Sequence, residues 1–134
     1  MAQILVADDH KDFRDAVRLM LEQKGHHVVE AQDGKDAVLL CRSLHPDLVI
    51  LDIFMPKKDG IEAMCQMRYS YVDIKVIVVS AGGESRSGEI KWSSKDALEL
   101  ARQFGVNRVL AKPVEPEVLL SAVETTLHTP DWLM

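Results

Sequence analysis

The chain has 134 residues, of which 47% are hydrophobic, and its 21 acidic and 16 basic side chains give a formal charge of −5. This length favours one domain with a core that needs no disulfide or metal to hold it. An acidic chain without runs of lysine or arginine lacks the positive patch that direct nucleic-acid binding requires. With no apolar stretch near 18 residues and no signal-peptide pattern, we expect a cytoplasmic protein with no membrane partner.

Five short apolar runs predict five β-strands. They cover Ile4–Ala7, His27–Ala31, Leu48–Leu51, Val76–Val79 and Arg108–Ala111. After each run the apolar residues recur with helical spacing, so a strand and then a helix follow one another five times. Such alternation is typical of a doubly wound parallel sheet with helices on both faces. We therefore predict a single α/β domain at residues 1–128, followed by a short tail at 129–134.

One connection is longer than the others. The segment at 81–93 is rich in glycine and serine, whereas strand-to-helix connections usually have roughly 2 to 6 residues. It is either a passive insertion or a functional flap.

Polar residues follow four of the five predicted strands. They are Asp8, Asp9, Asp52, Ser80 and Lys112. In open α/β sheets ligands bind beyond the carboxyl ends of the strands, so these side chains are expected at one site. Three converging carboxylates repel one another unless a cation lies between them, and oxygen ligands suit Mg²⁺. One carboxylate can then act as a nucleophile toward a phosphoryl group.

With their neighbours, these residues resemble the receiver domain of two-component response regulators, the CheY-like family. The added motif residues are Met55-Pro56, Asp59-Gly60, Ala81 and Pro113. The resemblance runs from Ile4 to about Leu127, and the set in this order is far more specific than any member alone. It implies a flavodoxin-like fold of five strands in the order 2-1-3-4-5, flanked by five helices.

The resemblance also implies a metal site and a phosphoacceptor. Asp52 is the expected acceptor of a phosphoryl group from a histidine kinase or histidine phosphotransfer protein, and it also belongs to the Mg²⁺ site. Asp9 is expected to bind Mg²⁺ directly and Asp8 through water. The backbone carbonyl of Phe54 is expected to complete the protein ligands.

A conformational switch is the third implication. Lys112, after a cis bond to Pro113, is expected to contact the phosphoryl group, and Ser80 is the expected switch hydroxyl. Receivers usually carry a mobile aromatic ring three residues before the lysine, where this chain has Val109, whose β-branched side chain is stiff. We hypothesise that the 81–93 loop, with Trp92 as its anchor, replaces the aromatic ring as the element that changes conformation on phosphorylation. The alternative is a passive loop.

Three functions are compatible with these residues, and we favour the first. The favoured one is a phosphorylatable receiver that switches its contacts with a downstream protein and catalyses only its own phosphorylation and dephosphorylation. The second is a degenerate receiver that acts as a phosphorylation-independent interaction module. The third, an aspartyl-nucleophile phosphatase, is less favoured because such enzymes carry a second acid two residues after the nucleophile, where Phe54 stands. We expect no output domain within these residues, and a homodimer stays open.

Two further positions, the pair Cys41 and His45 and the single residue His10, carry weaker indications of metal binding. Cys41 and His45 have a spacing that can bind zinc, but without further ligands a structural cysteine and a helix-end histidine are favoured. His10 stands beside the acidic pair and could modulate a metal there, although the sequence favours a solvated loop residue.

We predict that Phe54→Asn speeds loss of the phosphoryl group from Asp52. An apolar ring at this position would shield the acyl phosphate from water. The decay of the phosphorylated protein, followed by intact mass, checks this; equal rates in the two proteins would mean that Phe54 only packs under the following turn.

Overall fold

The computed structural model describes residues 1–53, 60–70, 73–80, 99, 102–103 and 105–129, with Ser80 described by its backbone alone. In this part of the chain five strands form one parallel sheet in the order β2-β1-β3-β4-β5. The strands are β1 (Gln3–Ala7), β2 (His27–Ala31), β3 (Leu48–Asp52), β4 (Val76–Ser80) and β5 (Arg108–Ala111). The predicted strands and their order are confirmed.

Four helices lie within the described ranges. They are α1 (Lys11–Gln23), α2 (Gly34–Leu44), α3 (Gly60–Ser70) and α4 (Pro116–His128). The count is one short of the five predicted, because the helix expected near residues 97–104 is described only at Glu99, Arg102 and Gln103, all of them helical. None of the helices searched has both the length and the apolar character that crossing a bilayer requires.

Several predicted features lie outside the described residues. They are the carbonyl of Phe54, the side chain of Ser80, the 81–93 loop with Trp92, and residues 130–134 of the tail.

Helix ends follow signals that are local in the sequence. Gly25 follows α1 with a φ of 87°, a conformation that glycine adopts without strain. Asp33 caps α2, since its carboxylate accepts a hydrogen bond of 2.9 Å from the backbone N–H of Asp36. Pro116 begins α4, where its missing N–H costs no helical hydrogen bond.

Strand side chains alternate between two buried clusters, one on each face of the sheet. One cluster packs the sheet against α1 and α4, and it includes Ile4, Val6, Val17, Leu21, Ile50, Ile77, Leu119 and Val123. The other packs it against α2 and α3, and it includes Leu5, Val38, Cys41, Val49, Leu51, Met64, Met67 and Val78. Both faces of β1 and β3 are therefore covered, as the nearly continuous apolar runs predict.

Cys41 and His45 have structural positions. The Cys41 thiol lies inside the α2–α3 cluster, and burial raises its pKa to about 11. His45 ends α2 in the left-handed conformation, with a φ of 47°. Both positions agree with the favoured interpretation of this pair.

Gly60 is the point where α3 meets the end of β3. Its N–H donates a hydrogen bond of 2.7 Å to the backbone carbonyl of Ile53. A Cβ at this position would overlap the backbone carbonyl oxygen of Asp52 and the Cα of Ile53. Because both neighbours are backbone atoms, rotamer changes cannot relieve that overlap.

We predict that Gly60→Ala lowers the free energy of unfolding by about 1–3 kcal/mol, the usual effect of overpacking. Helix propensity alone would have the opposite sign, since alanine favours helices by roughly 1 kcal/mol over glycine. Urea denaturation checks the prediction, with the exposed α2 residue Lys35 replaced by alanine as control. An unchanged or raised midpoint in Gly60→Ala would contradict it.

Candidate functional site

Strand alternation brings three of the predicted site residues, Asp8, Asp52 and Lys112, to one face of the sheet. Val6, Ile50 and Leu110 belong to the α1–α4 cluster or pack against it, and each stands two positions before a site residue. Since side chains two residues apart share a face, Asp8, Asp52 and Lys112 follow on that same side. The strands are parallel, so their carboxyl ends also meet at one edge.

Lys112 lies between two buried carboxylates. Asp8 is 1% exposed and Asp52 is 4% exposed. The ammonium Nζ of Lys112 donates a hydrogen bond of 2.6 Å to Asp8 Oδ2 and lies 3.6 Å from Asp52 Oδ2. A buried carboxylate without a partner costs several kcal/mol, so Lys112 stabilises the ionised forms of Asp8 and Asp52 in their buried positions. In this structure Lys112 is closer to Asp8 than to the predicted acceptor.

Asp9 brings a third carboxylate to the same edge. Its atom Oδ1 is buried and accepts no hydrogen bond in the described part of the chain. The His10 ring nitrogen Nδ1 makes a hydrogen bond of 3.1 Å with Asp8 Oδ1. It also lies 3.1 Å from Asp9 Oδ1, without the angles of a hydrogen bond. One oxygen from each of the three aspartates and a His10 nitrogen lie within 4.8 Å of one another. An orphaned oxygen within such a set fits a divalent cation.

His10 lies in the loop before α1, as the sequence favours, and its side chain is 44% exposed. The structure also sets its ring nitrogen Nδ1 3.1 Å from a carboxylate oxygen of both Asp8 and Asp9. Its backbone N–H donates a hydrogen bond of 2.8 Å to Asp8 Oδ1. This contact turns the chain back over the acids one residue before α1 begins at Lys11.

Phe13 is a site residue that its sequence position does not reveal, because its helical spacing with Val17 and Met20 indicates only a place in the core. Its ring packs against the α1–α4 cluster, and the Lys112 ammonium lies 4.3 Å from the ring centroid. A cation at this distance is attracted to the ring by about 0.5–2 kcal/mol. Phe13 therefore restrains the Lys112 ammonium.

Arg14 holds the turn that carries the acidic pair. Its Nη1 donates a hydrogen bond of 2.8 Å to the backbone carbonyl of Asp8. Its Nε donates to Glu30 Oε1 at 3.2 Å, and Arg18 donates to the other oxygen of Glu30 at 2.6 Å. The sequence shows only that α1 carries positive charge and β2 carries negative charge. Such pairs of charges are common, so the sequence could not predict the role of Arg14.

Three further predicted features lie in the described part of the chain: the Lys112-Pro113 bond, Val109 and the backbone of Ser80. The Lys112-Pro113 peptide bond is cis, as the resemblance implies. Val109 is half-buried and packs against the α2–α3 cluster, on the face opposite the carboxylates. The backbone of Ser80 pairs with Ala111 at the same edge as the acids.

The arrangement can hold a cation and present a nucleophile. Asp52 offers a carboxylate beside an ammonium group, and Asp8 and Asp9 supply further oxygens that suit a hard ion such as Mg²⁺. A phosphoryl group that reached Asp52 would meet positive charge from the lysine and from such a cation.

Comparisons with known proteins show the family to which the chain belongs. The family model described as the response regulator receiver domain matches residues 4–124. The chain is 31% identical to Protein PilH of Pseudomonas aeruginosa over 127 residues, which cover 95% of this chain and 98% of PilH. It is 40% identical to the transcriptional regulatory protein DegU of Brevibacillus brevis, over 91% of this chain but only 48% of DegU.

The structural comparison extends over the whole chain. A response regulator receiver domain protein from Clostridium thermocellum superimposes with a TM-score of 0.84 at 25% identity, covering 100% of both chains. The chain spans about half the length or less of several other curated relatives that it matches. On the family match and the relationship to PilH, the chain belongs to the response regulator receiver domains of two-component signalling, with a CheY-like fold.

Proposed function

We propose that Asp52 accepts a phosphoryl group from a phosphohistidine of a histidine kinase or histidine phosphotransfer protein, and that this changes the contacts of the domain with a downstream protein. Receiver domains interact with such donors and targets. The observation that carries the proposal is the position of Lys112, whose Nζ lies 2.6 Å from Asp8 Oδ2 and 3.6 Å from Asp52 Oδ2.

Mg²⁺ is the cofactor that we propose for this site. Asp9, Asp52 and the carbonyl of Phe54 would hold it directly, and Asp8 would hold it through water. When bound, Mg²⁺ neutralises phosphoryl oxygens and so lowers the barrier to attack by a carboxylate. The buried oxygen of Asp9 supports this assignment, because a cation would give it the partner that it lacks among the described residues.

Phosphoryl transfer follows from the placement of Asp52. One carboxylate oxygen attacks phosphorus, and a new O–P bond forms as the N–P bond of the phosphohistidine breaks. The electron pair of that bond stays on the imidazole nitrogen of the donor. Lys112, whose ammonium carries three N–H donors and uses one on Asp8, then donates a hydrogen bond to a phosphoryl oxygen.

The switch that follows differs from the usual receiver pattern. We propose that Ser80 supplies the hydroxyl that moves toward the phosphoryl group. Val109 packs against the α2–α3 cluster and is too stiff to swing as an aromatic ring does. Trp92 with the 81–93 loop stays our hypothesis for the element that replaces that ring.

We predict that the chain gains the mass of one phosphoryl group on incubation with acetyl phosphate and Mg²⁺, and that Asp52→Asn abolishes the gain. Intact mass spectrometry measures it, and the exposed residue Asp73, replaced by asparagine, is the matched control. No gain in the parent chain would favour the phosphorylation-independent module. Repeated hydrolysis of a small phosphomonoester would instead indicate a phosphatase.

We predict that Phe13→Leu slows phosphorylation of Asp52 by roughly five-fold, because losing about 1 kcal/mol of cation–π attraction frees Lys112 from its position. Phe13→Tyr keeps the ring and should restore most of the rate. The rate with acetyl phosphate and the Mg²⁺ affinity are measured together, and only the rate should change. Met20→Leu is the control for packing, since Met20 borders the same cluster. An equal slowing in Met20→Leu would mean that Phe13 acts only through core packing.

A further inference from the structure

We propose that Glu30 on the edge strand β2 is a positioning residue for the acidic site. It acts through Arg14 to orient the peptide that joins Asp8 to Asp9, and so sets the affinity of the site for Mg²⁺ without taking part in phosphoryl transfer. The inference deepens the metal site of the proposed function and rests on it. It gives a part to β2, a strand that supplies none of the five predicted site residues.

The carbonyl that Arg14 holds belongs to the peptide unit between the two acids. The Nη1 atom of Arg14 donates a hydrogen bond of 2.8 Å to the backbone carbonyl of Asp8. On the other side of the same residue, the Asp8 N–H donates a hydrogen bond of 3.1 Å to the backbone carbonyl of Ala31. Because a peptide unit is planar, fixing this carbonyl also fixes the direction in which the Asp9 Cα lies. Arg14 therefore determines where the Asp9 carboxylate can lie relative to that of Asp8.

Glu30 fixes the guanidinium that makes this contact. Its Oε1 accepts a hydrogen bond of 3.2 Å from the Arg14 Nε. The guanidinium is a rigid plane, so hydrogen bonds from Nε and Nη1 together fix its orientation, whereas one bond alone leaves it free to turn. The Arg14 side chain is 13% exposed and that of Glu30 is 22% exposed, so solvent screens this pair less than a fully exposed one.

The fold places Glu30 between two arginines of α1. Val28 belongs to the α1–α4 cluster, and Glu30, two residues later, lies on the same face of β2. Arg14 and Arg18 are neighbours on the helix surface at i and i+4, and each donates to a different oxygen of Glu30, with Arg18 at 2.6 Å. Arg18 also donates a hydrogen bond of 2.7 Å to Glu22. Arg18 thus holds the Glu30 carboxylate from a second side, and Arg14 is the arm that reaches the Asp8 carbonyl.

The expected effect is on metal affinity and not on the nucleophile. Asp8 and Asp9 follow β1, whereas Asp52 ends β3 and Lys112 follows β5. Without the Arg14 contact the Asp8–Asp9 peptide can turn, so binding an ion must first restore its orientation, and this weakens binding. At saturating Mg²⁺ the two acids are held by the ion, and Asp52 and Lys112 keep their places.

The test measures the Mg²⁺ affinity of the full chain by calorimetry and the rate of phosphorylation by acetyl phosphate at saturating Mg²⁺. We expect Arg14→Ala to weaken Mg²⁺ binding roughly ten-fold and Glu30→Gln roughly three-fold, with the saturated rate changed less than about two-fold. Removing a positive charge beside a cation site would by charge alone strengthen Mg²⁺ binding. Weaker binding in Arg14→Ala therefore has the sign of a positioning role and not of a charge effect.

A double-mutant cycle separates the action of Glu30 through Arg14 from its own charge. If Glu30 acts through Arg14, Glu30→Gln should have little further effect on Mg²⁺ affinity in the Arg14→Ala background. Glu22→Gln is the matched control, because it removes a carboxylate of the same network that contacts Arg18, and it should leave the affinity unchanged. Glu30→Gln keeps the size of the side chain and an oxygen acceptor, so it decides the inference against Glu22→Gln if Arg14→Ala does not fold.

Three results would overturn the inference. They are an unchanged or tighter Mg²⁺ affinity in Arg14→Ala, an equal loss from Glu30→Gln in both backgrounds, and an equal loss from Glu22→Gln. A lowered urea midpoint with unchanged Mg²⁺ affinity would likewise make the Arg14–Glu30 pair only a support for the fold. If the variants bind Mg²⁺ as the parent does while Asp52 is phosphorylated, the inference fails and the proposed function stands. If the parent gains no phosphoryl group, the proposed function fails, and the Mg²⁺ affinities still decide the role of Glu30.

Discussion

Charge balance at the carboxyl ends of β1 and β3 is the constraint on which the rest of the site depends. Three aspartates meet there, and Asp8 and Asp52 are almost fully buried. Lys112 offsets one of the three negative charges, and a divalent cation would offset the other two. Since an uncompensated buried charge costs several kcal/mol, lysine and cation are parts of one electrostatic unit. A phosphoryl group that enters this unit brings new negative charge, and Lys112, whose Nζ lies 3.6 Å from Asp52 Oδ2, is placed to receive it.

The first turns of α1 connect this electrostatic unit to the fold. Phe13 covers the Lys112 ammonium, Arg14 holds the Asp8 carbonyl, and His10 lies against two carboxylates. Glu30 of β2 fixes Arg14 in turn, so the edge strand takes part without supplying a ligand. The helix thus supports the site through contacts that differ in kind: an aromatic face, a hydrogen bond to backbone and an imidazole ring.

The sequence predicts the sheet and the meeting of its strand-end residues because both follow from periodicity. Apolar runs identify β1 and β3, and parallel pairing then brings Asp8 and Asp52 together. Contacts across the site are harder to predict, because they depend on side-chain torsions and on the entry angle of α1. Helical spacing assigns Phe13 to the core without indicating that Lys112 would lie over its ring. For His10 the sequence left two positions open, in solvent or beside the acids, and only the turn before α1 decides that its ring reaches the carboxylates.

The alternation of strand side chains has a consequence for how such a chain can change over evolutionary time. Asp8, Asp52 and Lys112 share a face because each stands two residues beyond a side chain of the α1–α4 cluster. Substituting one apolar strand residue for another keeps that relation, but inserting or deleting a single residue in β1, β3 or β5 would turn the polar side chain toward α2 and α3. Inherited changes of length are therefore confined to the connections between strands and helices, while the strands change by replacement alone.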